Sequence, residues 1–259
     1  MKIFRCLLLF ACTISGASFA DELPRIVREA KPSVLAVGTF APLRNPQFRF
    51  AGTGFVIGDG MTVVTNAHVV PQTLDVPGKE VVAVARAKGG GGTDIEAFTA
   101  EVIHIDRGDD LAVLKFKSEV VLPALKLAAP ARIDEGTSIA MIGYPLGVTL
   151  GLIPAVHRGV ISALAPLAAP KLNSQQVDAR TIRRMRVDAE NTIYQLDAVA
   201  YPGNSGSPLL SVVTGEVVGI INAGLVKGTR EAAATNPTGI SYAVPVDALL
   251  RLLSTQKLQ

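Results

Sequence analysis

About a dozen short runs of β-branched and other apolar residues, closed off by glycine, proline and asparagine, leave this chain few folds to choose from. In the first half the runs are Ser33 to Phe40, Arg49 to Ile57, Met61 to Asn66, Val81 to Ala87, Ile95 to Ile105 and Leu111 to Phe116. In the second half they are Thr137 to Ile142, Val156 to Leu164, Thr192 to Leu196, Pro208 to Val213, Val217 to Asn222 and Gly239 to Val244. Helical periodicity is confined to the ends: a short helix within Asp21 to Ala30, and one opened by Pro245 over Val246 to Leu253 with Asp247 near its positive end. The expectation is an all-β protein of two antiparallel six-stranded barrels with a short C-terminal helix. The lobes span about residues 33–120 and 133–246 of a domain covering 21–259, and Ala124 to Arg132 crosses between them. Gly89 to Gly92 reads as the loop tip of the hairpin it interrupts, since strands flank it closely.

Hydrophobic residues make up 49% of the chain, enough to bury a large core, but part of that apolarity lies at the start. Lys2 and Arg5 precede an apolar stretch, and Ala17-Ser18-Phe19-Ala20 supplies small residues, so residues 1–20 read as a secretory signal cut after Ala20. The apolar run is too short to span a bilayer, which needs about 20 residues. Lipidation at Cys12, after Leu9-Phe10-Ala11, is the alternative processing. Cys6 and Cys12 both fall in the leader, so the mature chain is expected to have no disulfide, no stable membrane insertion, and a periplasmic or secreted location. Two of the three net positive charges also leave with the leader, and nothing in the balance that remains calls for a nucleic acid partner. The segment Lys171 to Asn191 departs from the strand pattern; it carries Arg180, Arg183, Arg184 and Arg186, read as a solvated face, as a surface for an acidic partner or as a loop bordering the active site.

Chemistry concentrates in Tyr201-Pro202-Gly203-Asn204-Ser205-Gly206-Ser207-Pro208. A serine between glycines sits on a turn that can lift its hydroxyl into a cleft and aim backbone N–H groups at one point, as an oxyanion requires. Serine is a weak nucleophile and needs a base with an orienting acid. Of the three histidines, His104 and His157 lie within strand patterns, whereas His68 follows Thr65-Asn66-Ala67 at a strand end, where a side chain can project into a cleft. Asp109 and Asp110 precede the apolar run Leu111 to Leu114, and Asp110, abutting it, is the better placed to accept from an imidazole.

Gly52-Thr53-Gly54-Phe55-Val56-Ile57, Thr65-Asn66-Ala67-His68-Val69-Val70, Asp110-Leu111-Ala112-Val113-Leu114 and Gly203-Asn204-Ser205-Gly206-Ser207-Pro208 occur in that order. Together they resemble the chymotrypsin-fold serine proteases, in particular their HtrA/Deg-like branch, as do Gly143 to Gly147 and Gly239 to Pro245. The likeness covers about residues 33–246. It implies a chymotrypsin-like double barrel that hydrolyses polypeptide substrates through Ser205 as nucleophile, His68 as general base and Asp110 as its orienting acid. The N–H groups of Gly203, Asn204 and Ser205 would form the oxyanion hole, and Val199, Ala200, Ile221, Asn222 and Ala223 the substrate pocket. No cofactor or metal is expected. No aspartate stands just upstream of Tyr201, so a small or medium apolar residue is expected before the cleaved bond rather than Lys or Arg.

Some positions depart from the family pattern. Asn204 stands where digestive relatives carry the aspartate that pairs with a newly cut N-terminus, and Ser207 replaces a common glycine. The chain ends 14 residues after Pro245, too few for the PDZ module that usually follows in HtrA proteins. Asp21 to Ser33 lacks the aromatics that support trimers in that branch, so trimerisation is not expected. The competing function is a protease-like protein that holds polypeptide with little or no turnover. An α/β-hydrolase esterase is excluded by the order of His before Ser and the missing final glycine of its elbow. A nucleotide site at Gly52-Thr53-Gly54 is excluded because no helix follows.

Overall fold

The computed structural model describes residues 22–89, 94–130, 133–147, 151–166, 192–223 and 239–255. Residues 1–20, expected to be a leader, most of the glycine-rich hairpin tip and the arginine-bearing segment 171–191 lie outside the described residues.

Twelve strands close into two barrels. The first barrel contains β1 (Val34–Phe40), β2 (Phe48–Ile57), β3 (Thr62–Asn66), β4 (Val81–Ala87), β5 (Ile95–Asp106) and β6 (Leu111–Phe116), in the order β1-β2-β3-β6-β5-β4. The second contains β7 (Ser138–Gly143), β8 (Ala155–Pro166), β9 (Thr192–Asp197), β10 (Pro208–Ser211), β11 (Val217–Ile221) and β12 (Ile240–Pro245). Its order, β10-β11-β12-β9-β8-β7, is the same antiparallel path walked backwards, so one topology is used twice with no sequence repeat to announce it. Full closure leaves neither barrel an open edge to attract another strand.

Two cores fill the barrels and a third joins them. Leu35, Val37, Val56, Val63 and Leu114 point into the first barrel; Ile139, Met141, Ile161, Leu196 and Ile221 fill the second. The joining core takes the outward faces of strands from both sides, including Phe55, Ile57, Ile142, Tyr144, Leu210 and Val217. Two helices seal it. In α1 (Leu23–Ala30), Ile26 and Ala30 are four residues apart and buried on one face, while Arg25 pairs with Glu22 and Glu29 on the wet face. In α2 (Val246–Thr255), Leu249, Leu252 and Leu253 close the other end, and truncating such a leucine to alanine costs about 2–5 kcal/mol.

The crossing segment expected between the lobes is stitched to both. Leu125 N–H donates to Val56 O in the first barrel at 2.9 Å, and Ala128 N–H donates to Val217 O in the second at 2.9 Å. Tyr144, at the end of β7, adds a side-chain tie: its hydroxyl donates to Val34 O of β1 at 3.0 Å from a position only 2% exposed. Among the described residues no helix is long and apolar enough to cross a membrane.

Candidate active site

β3 and β6 are antiparallel neighbours with Asn66 opposite Leu111. That register brings His68, two residues after β3, to Asp110, the residue before β6, although 42 positions separate them in sequence. His68 sits on a single 3-10 turn, Ala67–Val69, and this turn is built on Asp110. Ala67 N–H and the Asn66 side-chain amide each donate to Asp110 O at 3.0 Å, and His68 N–H donates to Asp110 Oδ1 at 2.9 Å. Asp110 adopts φ +54°, a conformation aspartate tolerates better than most residues, and so turns both its carbonyl and its carboxylate toward the His68 turn.

The carboxylate decides the tautomer of the imidazole. Asp110 Oδ2 lies 2.6 Å from His68 Nδ1, and an ionised carboxylate only accepts, so Nδ1 carries the proton. Nε2 of the neutral ring is then left to accept, and Ser205 Oγ lies 2.9 Å from it. Ser205, 7% exposed, therefore donates its hydroxyl toward a ring whose other nitrogen is already held. The imidazole is more open, with 36% of its side-chain surface exposed, so its face is available to a leaving group or to water.

The Ser205 turn runs into β10 and is pinned from three directions. Thr53 N–H of β2 donates to Ser205 O at 2.8 Å, and Gly206 N–H donates to Ile221 O of β11 at 2.9 Å. Ser207 N–H closes the turn on Asn204 O at 3.0 Å. Gly206 is required by both conformation and space: its φ is +85°, and a Cβ there would lie 2.0 Å from Thr53 O. Gly203, at φ +103°, would put a Cβ 2.3 Å from Tyr144 O. Among the described residues, the N–H groups of Gly203 and Ser205 have no internal acceptor.

Three expectations need correction. Asn204 N–H is not an oxyanion donor, because it is spent on Tyr201 O at 3.0 Å inside the turn. Ile221 does not line a substrate pocket, because its side chain is fully buried in the core of the second barrel. Asn222 turns away from a pocket wall as well: its amide donates to Asp110 Oδ2 at 2.8 Å, a bond across the lobe boundary that the sequence reading missed. The available signal was a polar residue ending an apolar strand, and at 4% exposure its amide had to find a partner. Val199, Ala200 and Ala223 are half-buried, and Ala200 N–H is held by Ser241 Oγ at 2.8 Å.

His104 and His157 stay outside this constellation. His104, on β5, pairs with Val113 of β6, and His157 lies on β8, where burial pushes its imidazole pKa down. Behind the nucleophile, the Asn204 amide and the Ser207 hydroxyl are fully buried with no hydrogen-bond partner among the described residues.

Residues 52–220 match the family model described as the trypsin-like peptidase domain. The chain is 28% identical over 238 residues to serine protease HTRA3 of Homo sapiens, covering 88% of this chain and 44% of that protein. It is 30% identical over 219 residues to the putative serine protease HhoA of Synechocystis sp., covering 83% of this chain and 45% of that one. It thus spans less than half the length of these relatives. Among solved structures, the crystal structure of the serine endoprotease from Yersinia pestis resembles it with a TM-score of 0.61 and 22% identity, over 90% of this chain and 66% of that one, a likeness of fold.

Proposed function

The chain belongs to the trypsin-like peptidase family, and from that premise we propose that it is an exported serine endopeptidase acting through Ser205, His68 and Asp110. The observation that carries this reading is the unbroken path from Asp110 Oδ2 through His68 to Ser205 Oγ, with steps of 2.6 and 2.9 Å.

In this mechanism Ser205 Oγ attacks the carbonyl carbon of a peptide bond as His68 Nε2 takes its proton. The former carbonyl oxygen becomes the oxyanion and accepts from Gly203 N–H and Ser205 N–H. Asp110, still ionised, stabilises the imidazolium. The intermediate collapses as Nε2 returns the proton to the leaving amine, leaving an acyl ester on Ser205. Water repeats the sequence with the ester as its target, giving a carboxylic acid and free Ser205. Removing one oxyanion donor from such a site typically costs about 3 kcal/mol of transition-state stabilisation. No cofactor enters these steps. The half-buried Val199 and Ala200 support an apolar preference on the acyl side, and the leader at residues 1–20 supports export to the periplasm or beyond.

Casein digestion by the purified protein and by Ser205→Ala tests the reading. Peptide release by the first and none by the second is expected. Binding of casein without release, equal in both proteins, would mean that the fold serves to hold polypeptide instead.

A further inference from the structure

We propose that the Thr53 hydroxyl is a positioning residue for the oxyanion hole, acting through the peptides on either side of Gly203; this rests on the proteolytic reading of Ser205.

The N–H of Gly203 belongs to the peptide whose carbonyl is Pro202 O. In a planar trans peptide the two groups point in opposite directions, so whatever holds Pro202 O also aims Gly203 N–H. Leu146 N–H holds it, at 2.8 Å. The next peptide carries Gly203 O, and Thr53 Oγ1 donates to that oxygen at 2.7 Å. With both carbonyls held, a flip of the first peptide cannot be absorbed by rotating the second. Gly203, which has the freedom to flip, is left with one conformation, at φ +103°.

Thr53 governs the Leu146 contact as well. Its Oγ1 accepts from Tyr144 N–H at 3.1 Å, and Tyr144 starts the turn that presents Leu146 N–H. That turn is strained at its functional end, since Leu146 has φ +57°, a left-handed conformation that non-glycine residues rarely adopt. Tyr144 O accepts Gly147 N–H at 3.2 Å, and the Tyr144 ring packs edge-on against Phe50 with centroids 6.3 Å apart. One buried hydroxyl, 0% exposed, thus links β2 of the first barrel, the Tyr144 turn of the second and the oxyanion peptide between them. The other groups of Thr53 are also committed: its N–H to Ser205 O and its carbonyl to Thr65 Oγ1 at 2.6 Å. The backbone contact places the nucleophile, while the hydroxyl sets the donor that meets the oxyanion.

The test is a set of substitutions in the full chain, assayed on a peptide substrate released from casein mapping. Thr53→Val keeps the shape and removes the hydroxyl; Thr53→Ser keeps the hydroxyl. For Thr53→Val, kcat is expected to fall about 10- to 100-fold, with KM within about threefold of the parent. The affinity for a peptidyl boronate, which places a tetrahedral oxygen in the hole, should weaken by a similar factor. Thr53→Ser should restore both to within about threefold. Should Thr53→Val melt too low to assay, Thr53→Cys, with a weak donor in the same space, should show the same kcat deficit in reduced form. Unchanged kcat and boronate affinity in the hydroxyl-less variants, or a Thr53→Ser as impaired as Thr53→Val, overturns the proposal and leaves the proteolytic reading standing. A parent protein with no turnover dependent on Ser205 overturns both.

Discussion

The proposed acid–base half of the site and the proposed nucleophile half are held in different ways. His68 and Asp110 sit on one barrel, within two residues of paired strands, and five hydrogen bonds connect the 66–68 segment or Asn222 to Asp110, four of them from within that barrel. Ser205 leads into the second barrel, yet its carbonyl is held by Thr53 of the first and its neighbours by β11 and the Tyr144 turn. The first half is assembled as soon as β3 and β6 pair. The second exists only when the barrels have docked and the joining core is closed. Damage at the lobe boundary should therefore reach the oxyanion hole well before it reaches the imidazole and its carboxylate.

The largest expected effect probes the self-contained half. Asp110→Asn keeps the shape but leaves an amide that can donate to Nδ1 and stabilise the wrong tautomer, so kcat on a peptide substrate should drop by about 10⁴ with little change in melting temperature. Next comes the half that depends on docking. Gly206→Ala forces a Cβ to within 2.0 Å of Thr53 O in the present backbone, at a φ of +85°. It should cost about 2–4 kcal/mol of stability in chemical denaturation and at least 10²-fold in kcat, whereas a folding loss without an activity loss would show that the turn has more freedom than its contacts imply.

Asn222→Ala is smaller and more telling, because it cuts the described bond that reaches Asp110 from the second barrel. A hydrogen bond to a charged group is worth about 1.5–3 kcal/mol, so kcat should fall about 10-fold or somewhat more while KM holds. An unchanged rate would mean that the first barrel alone suffices to aim the carboxylate.

The smallest effect should leave catalysis untouched. Glu80 accepts from Thr39 Oγ1 at 2.6 Å, from Asp75 N–H at 2.9 Å and from the Arg44 guanidinium, which hold its carboxyl down to about 2 against an ordinary 4.5. A depressed carboxyl adds stability that is fully present above the unfolded-state pKa and is lost as pH falls through the folded one. Glu80→Gln should therefore melt below the parent at neutral pH, the gap closing as pH drops from about 4.5 toward 2, with kcat the same in both. A gap that persists at low pH would assign the contribution to packing instead.

Most of the architecture was legible because each strand announces itself locally. Val81 to Ala87 and Leu111 to Phe116 coincide with β4 and β6, and elsewhere the ends move by a residue or two, as where Pro208 to Val213 shortens to β10. That shortening follows from the turn after β10, where the Ser211 hydroxyl accepts from Val213 and Thr214 N–H. The three side chains of the proposed proton path were singled out for a different reason: each stands beside a turn or strand end. What escaped was the direction of individual groups. Asn222 and Ile221 are neighbours on β11 and its end, and alternation sends one into the barrel and the other to Asp110, but only the closed barrel says which. Whether Asn204 N–H faced the oxyanion or its own turn depended on the backbone torsions on either side of the Gly203–Asn204 peptide, and glycine carries no side chain from which to infer them.

The most direct measurement of the central claim is intact-mass analysis of labelling by a fluorophosphonate, comparing the parent with Ser205→Ala and His68→Ala. The account predicts a single adduct on the parent, mapped to Ser205, none on Ser205→Ala, and a labelling rate at least 10³-fold lower in His68→Ala. A parent that resists the probe, or a His68→Ala protein that reacts at the parental rate, would contradict the claim that a proton passes from Ser205 to His68 across the boundary between the barrels.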